Sequence, residues 1–264
     1  MSTGLEISTD GNVGIVVMDR PPHNFLNYEQ IGNIASACEA FDVDPEIRAI
    51  VLAANGRSFC AGANFSAGGV APDMADGKRE DIGGNSTQRL YAEGLRLFKI
   101  NTPIVAAVQG PAVGGGLGLA VAADFRITCQ EARFSANFAA LGIHQGFGLS
   151  VTLPELLGRQ LASRLLLTAR RYKGDEAVAI GLADELATLD TVRMRAIELA
   201  QEIAANAPLA LRSIRATLRE GLADRVEAAT DHEAAEQAVL SLTNDAAEGI
   251  ASVGERRRGN FTAT

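Results

Sequence analysis

Two glycine turns are the stretches of this chain whose residue types and spacing suit chemistry. The first, Gly110–Asp124, reads GPAVGGGLGLAVAAD and follows the apolar run Ile104–Val108. A dinucleotide fingerprint would need GxGxxG, but after Gly114 and Gly116 the sixth position is Leu119, and no acidic residue follows at the ribose distance. A phosphate loop would need a lysine after its last glycine, and none is present. What remains is a strand, a bare turn and a helix N-terminus, which aim backbone N–H groups and a partial positive charge at whatever lies above them. That arrangement suits an oxyanion hole. Close helix–strand packing is the other reading of the same glycines. A second turn, RSFCAGANFSAGG at residues 57–69, follows the run Ala49–Ala53, and its Ala61-Gly62-Ala63 step can supply the second N–H of a two-donor hole.

Titratable groups near these turns are few. Between residues 101 and 150 the carboxylates are Asp124 and Glu131 alone. His144, in LGIHQGFG, is a candidate proton carrier because an imidazole titrates near neutrality, and a histidine hydrogen-bonded within its loop is the alternative. Tyr91 and Glu93 belong to a helix predicted over Ser86–Lys99, where a solvated face competes with a role at a pocket. His23 and His232 read as turn and surface residues. The three histidines are too dispersed for metal-ligand spacing, so no metal is expected. The basic run Arg256–Arg258 suits either phosphate binding or terminal solubilising charge.

The elements that must position these turns fall into two textures. Up to about Phe134, the β-branched runs Val13–Met18, Ala49–Ala53, Ile104–Val108 and Phe125–Thr128 alternate with helical or glycine-rich stretches, which predicts βαβ units. Tyr28–Phe41 carries Ile31, Ile34, Ala35, Cys38 and Phe41 at helical spacing and reads as a crossover helix. From about Leu149 the chain turns alanine- and leucine-rich, broken at Gly158, Gly174, Gly181, Pro208 and Gly221, and a helical C-terminal half is expected. Alanines at 228, 229, 234, 235 and 238 give one helix a small-residue face for the core or for another subunit. Ser66–Ser86 is rich in Gly, Ala, Asp and Asn and reads as a loop that covers a site or as a surface insertion.

Composition excludes several classes. With 264 residues, 47% hydrophobic and 21% charged, the chain is neither disordered nor fibrous. Its formal charge of −8 argues against a nucleic-acid partner. The apolar stretch Val113–Ala123 is too short for a membrane span, and the start MSTGLEISTDGN lacks the basic and apolar regions of a signal peptide. Cys38, Cys60 and Cys129 form no CxxC pair and suit a reducing compartment, so a cytoplasmic protein is expected.

Taken in order, six segments resemble the crotonase superfamily, the enoyl-CoA hydratase/isomerase family, over essentially the whole chain. They are RPPHNFLN (20–27), IVLAANGRSFCAGANF (50–65), IVAAVQGPAVGGGLGLAVAADFRI (104–127), LGIHQGFGLSVTLPELLG (141–158), LLLTARRYKGDEAVAIGLADE (165–185) and GERRRGNF (254–261). The resemblance implies an α/β fold: a crotonase-type spiral of ββα and βαβ turns over residues 1–200, followed by a helical oligomerisation region at 201–264 that builds trimers or hexamers. It implies an acyl-CoA substrate, with coenzyme A part of that substrate and no permanently bound cofactor. Carried over by position, the N–H groups of Ala63 and Gly115 form the oxyanion hole. Asn24, Phe25 and Leu26, with Ala61, Asn64 and Phe65, line the coenzyme path.

Two departures stand out. Family hydratases carry one glutamate in GGGxE and a second in FxxPExxLG; here those positions are Gly118 and Phe138. Hydration needs one group to deprotonate water and another to protonate the α-carbon. Glycine and phenylalanine do neither. The sequence therefore supports an enzyme acting on a CoA thioester through an oxyanion hole, a poor crotonyl-CoA hydratase, with His144 as candidate proton carrier. The alternative is a non-catalytic acyl-CoA binding or carrier protein. Phe65, Phe138 and Phe147 would make an apolar acyl pocket if all three face inward.

Overall fold

The computed structural model describes residues 4–64 and 85–264. A hairpin of β1 (Leu5–Asp10) and β2 (Val13–Met18) leads through α1 (Tyr28–Val43) to β3 (Ala49–Ala54), and α2 (Asn85–Lys99) leads to β4 (Ile104–Val108). Next come β5 (Pro111–Val113), α3 (Gly115–Ala122), β6 (Phe125–Cys129), β7 (Arg133–Ser135) and a 3-10 turn, Ala139–Leu141. The remainder is helical apart from two short strands: α4 (Leu149–Thr168), β8 (Tyr172–Lys173), α5 (Gly174–Ala179), β9 (Glu185–Ala187), α6 (Val192–Ala204), α7 (Pro208–Leu218), α8 (Leu222–Leu240) and α9 (Asn244–Gly254).

The main sheet has the order β1-β2-β3-β4-β6-β9 and is parallel except for the β1–β2 pair. Its central strands are apolar at every position because both faces are covered. Val13, Ile15, Val17, Val51 and Val105 face Ala196, Ala200 and Ala204 of α6. Val16, Met18, Ile50 and Leu52 face the larger core that α1, α2 and α3 close. α1 starts where Asn27 accepts a hydrogen bond from the Gln30 N–H. A second sheet, β5-β7-β8, lies alongside, and an isolated bridge from Cys60 to Ala112 ties the 57–64 turn to its free edge. This is the expected α/β architecture. The expected breaks recur as a non-helical Gly158 within α4, Pro208 in the first turn of α7 and Gly221 capping α8. The alanine stripe of α8 is divided: Ala234 is buried, Ala228 and Ala235 are exposed. Most of Ser66–Ser86 lies outside the described residues.

Asp124, just past the C-terminal end of α3, holds α7 to the core. Its carboxylate accepts from the Ile104 N–H (2.8 Å), Arg215 Nε (2.8 Å) and Arg219 Nη1 (2.9 Å). Burial pushes its pKa up, but the two guanidiniums and the N–H outweigh that and hold it below the usual carboxylate range. The folded pKa is thus lower than the unfolded one. Its contribution to stability is present above the unfolded value of about 4 and is lost as the pH falls through the folded value. Asp124→Ala strands a buried arginine and should cost about 3–5 kcal/mol at pH 7, with the deficit shrinking in acid, as thermal melts across pH would record.

Candidate active site

The 57–64 turn is stitched to β5 by Cys60 N donating to Pro111 O and Val113 N donating to Cys60 O, both at 3.0 Å. Close by, Gly62 adopts φ +74, and a Cβ there would lie 2.5 Å from Val113 O and 3.5 Å from Gly115 N. Only glycine permits that approach. Across the seam Gly114, at φ 56, turns the chain into α3, and a Cβ at Gly116 would lie 2.0 Å from Cys60 O. These contacts bring Ala63 and Gly115 to one rim, with Gly115 as the first residue of α3. Neither N–H donates to a described residue. Two free donors beside a helix N-terminus can hold a developing oxyanion. Cys60 beneath them is no nucleophile, since burial pushes its thiol up to about 12.

The turn at residues 23–26 is fastened to the same rim. Leu26 N donates to Gly62 O at 2.9 Å, and Ala61 N donates to His23 O at 3.1 Å. Asn24 is a clamp within this turn. At φ 51 and 3% exposure, its amide donates to Asn55 O and Ser58 O, while its Oδ1 accepts from Arg20 N. Its side chain is spent inside the protein.

Above the rim opens a cavity of about 330 Å3, lined by Phe25, Leu26, Ala61, Ala63, Asn64 and Gly115 from the predicted set. Leu90, Phe138, Leu141 and Ile143 form its apolar wall, and Ile250 and Val253 of α9 close it. Asn24 and His144 do not line it, and Phe65 lies outside the described residues. The His144 ring stacks edge-on against His232 at 5.6 Å, with Nδ1 facing Gln145 O at 2.9 Å. Glu93 turns away to Arg96. Arg257 of the terminal basic run is bound by Glu248 and Glu255.

Of the three phenylalanines expected in the acyl pocket, Phe138 lines it and Phe147 does not. Phe147, 2% exposed, lies between α2 and α3: a Cβ on Gly94 would lie 2.8 Å from its ring, and one on Gly118 would lie 2.6 Å from its Cβ and Cδ1. The space a side chain at 118 would need is therefore filled. No carboxylate and no imidazole lines the cavity among the described residues.

Among the polar lining residues outside the site set expected from the sequence are Tyr91, Gln237 and Arg171. Tyr91 donates to Gln237 Oε1 at 3.0 Å, and Gln237 Nε2 donates to His144 O at 2.8 Å, so α2, α8 and the 144–148 loop are tied together. Burial raises the Tyr91 pKa further above neutrality, which keeps the phenol protonated. Arg171 enters from the start of β8. Nothing in the local sequence marks Gln237 or Arg171, since each arrives from a distant element. One turn from Gln237, Glu233 is consumed structurally by accepting from Gly148 N, Ser150 N and Ser150 Oγ at the start of α4.

Comparison with known proteins agrees with this architecture. Residues 8–264 match the sequence profile of the family described as enoyl-CoA hydratase/isomerase. A short-chain-enoyl-CoA hydratase of Clostridium acetobutylicum is 30% identical over 254 residues, covering 96% of this chain and 95% of that protein. A carnitinyl-CoA dehydratase of Proteus mirabilis is 34% identical, covering 83% of this chain and 81% of its own. A crystal structure of an enoyl-CoA hydratase/isomerase from Pseudoalteromonas atlantica superimposes with a TM-score of 0.84 at 27% identity, covering 98% of this chain and all of that one.

Proposed function

The chain belongs to the enoyl-CoA hydratase/isomerase family, and from that premise we propose that it acts on an acyl-CoA thioester whose carbonyl oxygen is held by the N–H groups of Ala63 and Gly115. The observation that carries this reading is the placement of both unspent donors on the rim of an apolar cavity, one of them opening α3. As the thioester carbonyl gains enolate character, the two N–H groups stabilise the charge, which lowers the cost of moving a proton or breaking a bond at the α-carbon. Phe25, Leu26, Ala61 and Asn64 border the coenzyme, which enters as part of the substrate. His144 is given no part in the chemistry, since its ring sits against His232.

Hydration is the reaction this cavity serves least. By the sequence resemblance Gly118 and Phe138 occupy the positions of the family hydratases' glutamates, and no described lining residue supplies a carboxylate or imidazole to activate water. On crotonyl-CoA, turnover should fall more than about tenfold below the ~10 s⁻¹ enzyme median. A panel of enoyl-, hydroxyacyl- and β-ketoacyl-CoA esters, with turnover and binding measured in parallel, tests the reading. Turnover of a panel member supports it. Hydration of crotonyl-CoA near the median overturns the second part, and binding of every ester without turnover favours the carrier alternative.

Residues 201–264 are proposed as the oligomerisation region of a homotrimer or homohexamer. What supports this is the apolar surface they expose: Leu209 and Leu218 of α7 are 81% and 80% exposed, and Leu242 is 87% exposed. A stable monomer by light scattering at micromolar concentration would refute it. The three cysteines are free and buried, which supports the cytoplasmic placement; among the described residues no helix is long and apolar enough to cross a membrane.

A further inference from the structure

Arg171 is the one charged side chain lining the cavity among the described residues, and it makes no hydrogen bond or ion pair with any of them. Its neighbour Arg170 is committed, pairing with Glu176 at 2.5 Å and lying over the Tyr172 ring. No acidic side chain among the described residues lines the cavity to balance the free guanidinium.

Strand order places this cation relative to the reaction centre. Cys60 pairs with Ala112 of β5, Ala112 with Phe134 of β7, and Phe134 with Tyr172 of β8. One residue along, Ala61, Val113, Ser135 and Arg171 fall in a row across four adjacent segments. The oxyanion donors sit at the first seam of that row, between the 57–64 turn and β5. Leu26 is hydrogen-bonded to Gly62 on the near side of the seam. Arg171 lies on the far side, two strand spacings or about 10 Å from β5. A thioester held at the hole with its coenzyme toward Leu26 would therefore extend its acyl chain past Phe138 toward Arg171.

We propose that Arg171 recognises an anionic group at the distal end of the acyl chain, so that the preferred substrates are monothioesters of dicarboxylic acids. This rests on the thioester reading above and adds the substrate class. The guanidinium suits a carboxylate through paired N–H donors, and the apolar wall between the hole and Arg171 accommodates the intervening methylenes. An acyl chain ending in methyl would leave the cation unpaired.

Binding by titration calorimetry separates the possibilities, with glutaryl-CoA, hexanoyl-CoA and free coenzyme A as probes on the wild type and on Arg171→Gln and Arg171→Glu. The wild type should bind glutaryl-CoA about tenfold or more tighter than hexanoyl-CoA, the scale of one charge-assisted hydrogen bond. Arg171→Gln should erase that preference and Arg171→Glu should reverse it, with free coenzyme A unaffected in both. Arg171 is exposed, so both variants should melt as the wild type does. Equal wild-type affinity for the two thioesters overturns the proposal. Equal loss for all three probes, free coenzyme A included, also overturns it, because Arg171 would then be meeting coenzyme phosphates. If the wild type binds no thioester, the functional reading itself fails and this inference falls with it.

Discussion

Replacing Gly115 with proline should cut thioester turnover about a hundredfold or more while leaving the protein folded. Proline removes the N–H proposed to meet the carbonyl oxygen, and one oxyanion donor is worth about 3 kcal/mol in the transition state. The fold should tolerate the change because Gly115 is the first residue of α3, the helical position where proline is favoured and no intrahelical bond is lost. There is also room: a Cβ at 115 would meet Leu26 Cδ2 at 3.4 Å and Phe147 Cδ2 at 3.8 Å, which is ordinary contact. Gly115→Ala is the control, since it adds the same Cβ and keeps the N–H. It should stay within a few-fold of wild type. Circular dichroism and a thermal melt establish folding before rates are compared, and His144→Ala should retain activity because that ring faces His232. A folded Gly115→Pro variant with normal turnover would remove Gly115 from the oxyanion hole and the proposed mechanism with it.

The contrast between Gly115 and His144 shows what a sequence discloses and what it hides. The turn that opens α3 at Gly115 was legible because its environment is local: a strand, a turn and a helix start follow one another within a dozen residues. The central strands were legible for a similar reason. Val13–Met18 and Ile104–Val108 are continuous apolar runs, the pattern a strand shows when both faces are buried, and both match β2 and β4 end to end. The crossover helix was legible too, although it continues to Val43, past the Phe41 at which its apolar spacing ends. Strands β5, β7, β8 and β9, of three residues or fewer, were not, because pairing partners rather than propensity define them.

His144 lies close to Phe138 in sequence, yet Gly142, at φ 70, ends the 3-10 turn between them, and the two side chains diverge. Phe138 meets the cavity and His144 meets α8. Gln237 and Arg171 enter the cavity from elements that sequence spacing does not connect to the hole. Phe147 is the sharpest case. Whether it faced a substrate or filled the space beside a glycine depended on Gly94 and Gly118, which lie on two different helices.

That contact decides what happens when a glutamate is placed at 118. Gly118→Glu should not create a hydratase, and it should destabilise the protein by about 3–5 kcal/mol, read as a shifted urea midpoint or a lowered melting temperature. The first cost is steric. A Cβ at 118 would lie within 2.7 Å of the Cβ, Cγ and Cδ1 of Phe147, and the far edge of the ring packs on α2 at Gly94 so closely that a Cβ there would come within 2.8 Å of it, which leaves the ring little space to retreat. The second cost is electrostatic, since a carboxylate beside a ring only 2% exposed would lose its hydration and would either stay protonated or force water inward. Adding Phe147→Ala should recover part of the loss, because the cavity that change leaves is the space the new side chain needs. The double variant would then be more stable than the sum of the single changes, a coupling that a double-mutant cycle measures directly. Phe138→Glu should cost less than Gly118→Glu, since Phe138 already lines the open cavity and a carboxylate there reaches solvent. Crotonyl-CoA hydration should therefore emerge, if a base is all that is missing, only when Gly118→Glu, Phe138→Glu and Phe147→Ala are combined. A Gly118→Glu single variant that melts like the wild type and hydrates crotonyl-CoA would show that Phe147 yields, and that the closed space at 118 is no barrier to water chemistry.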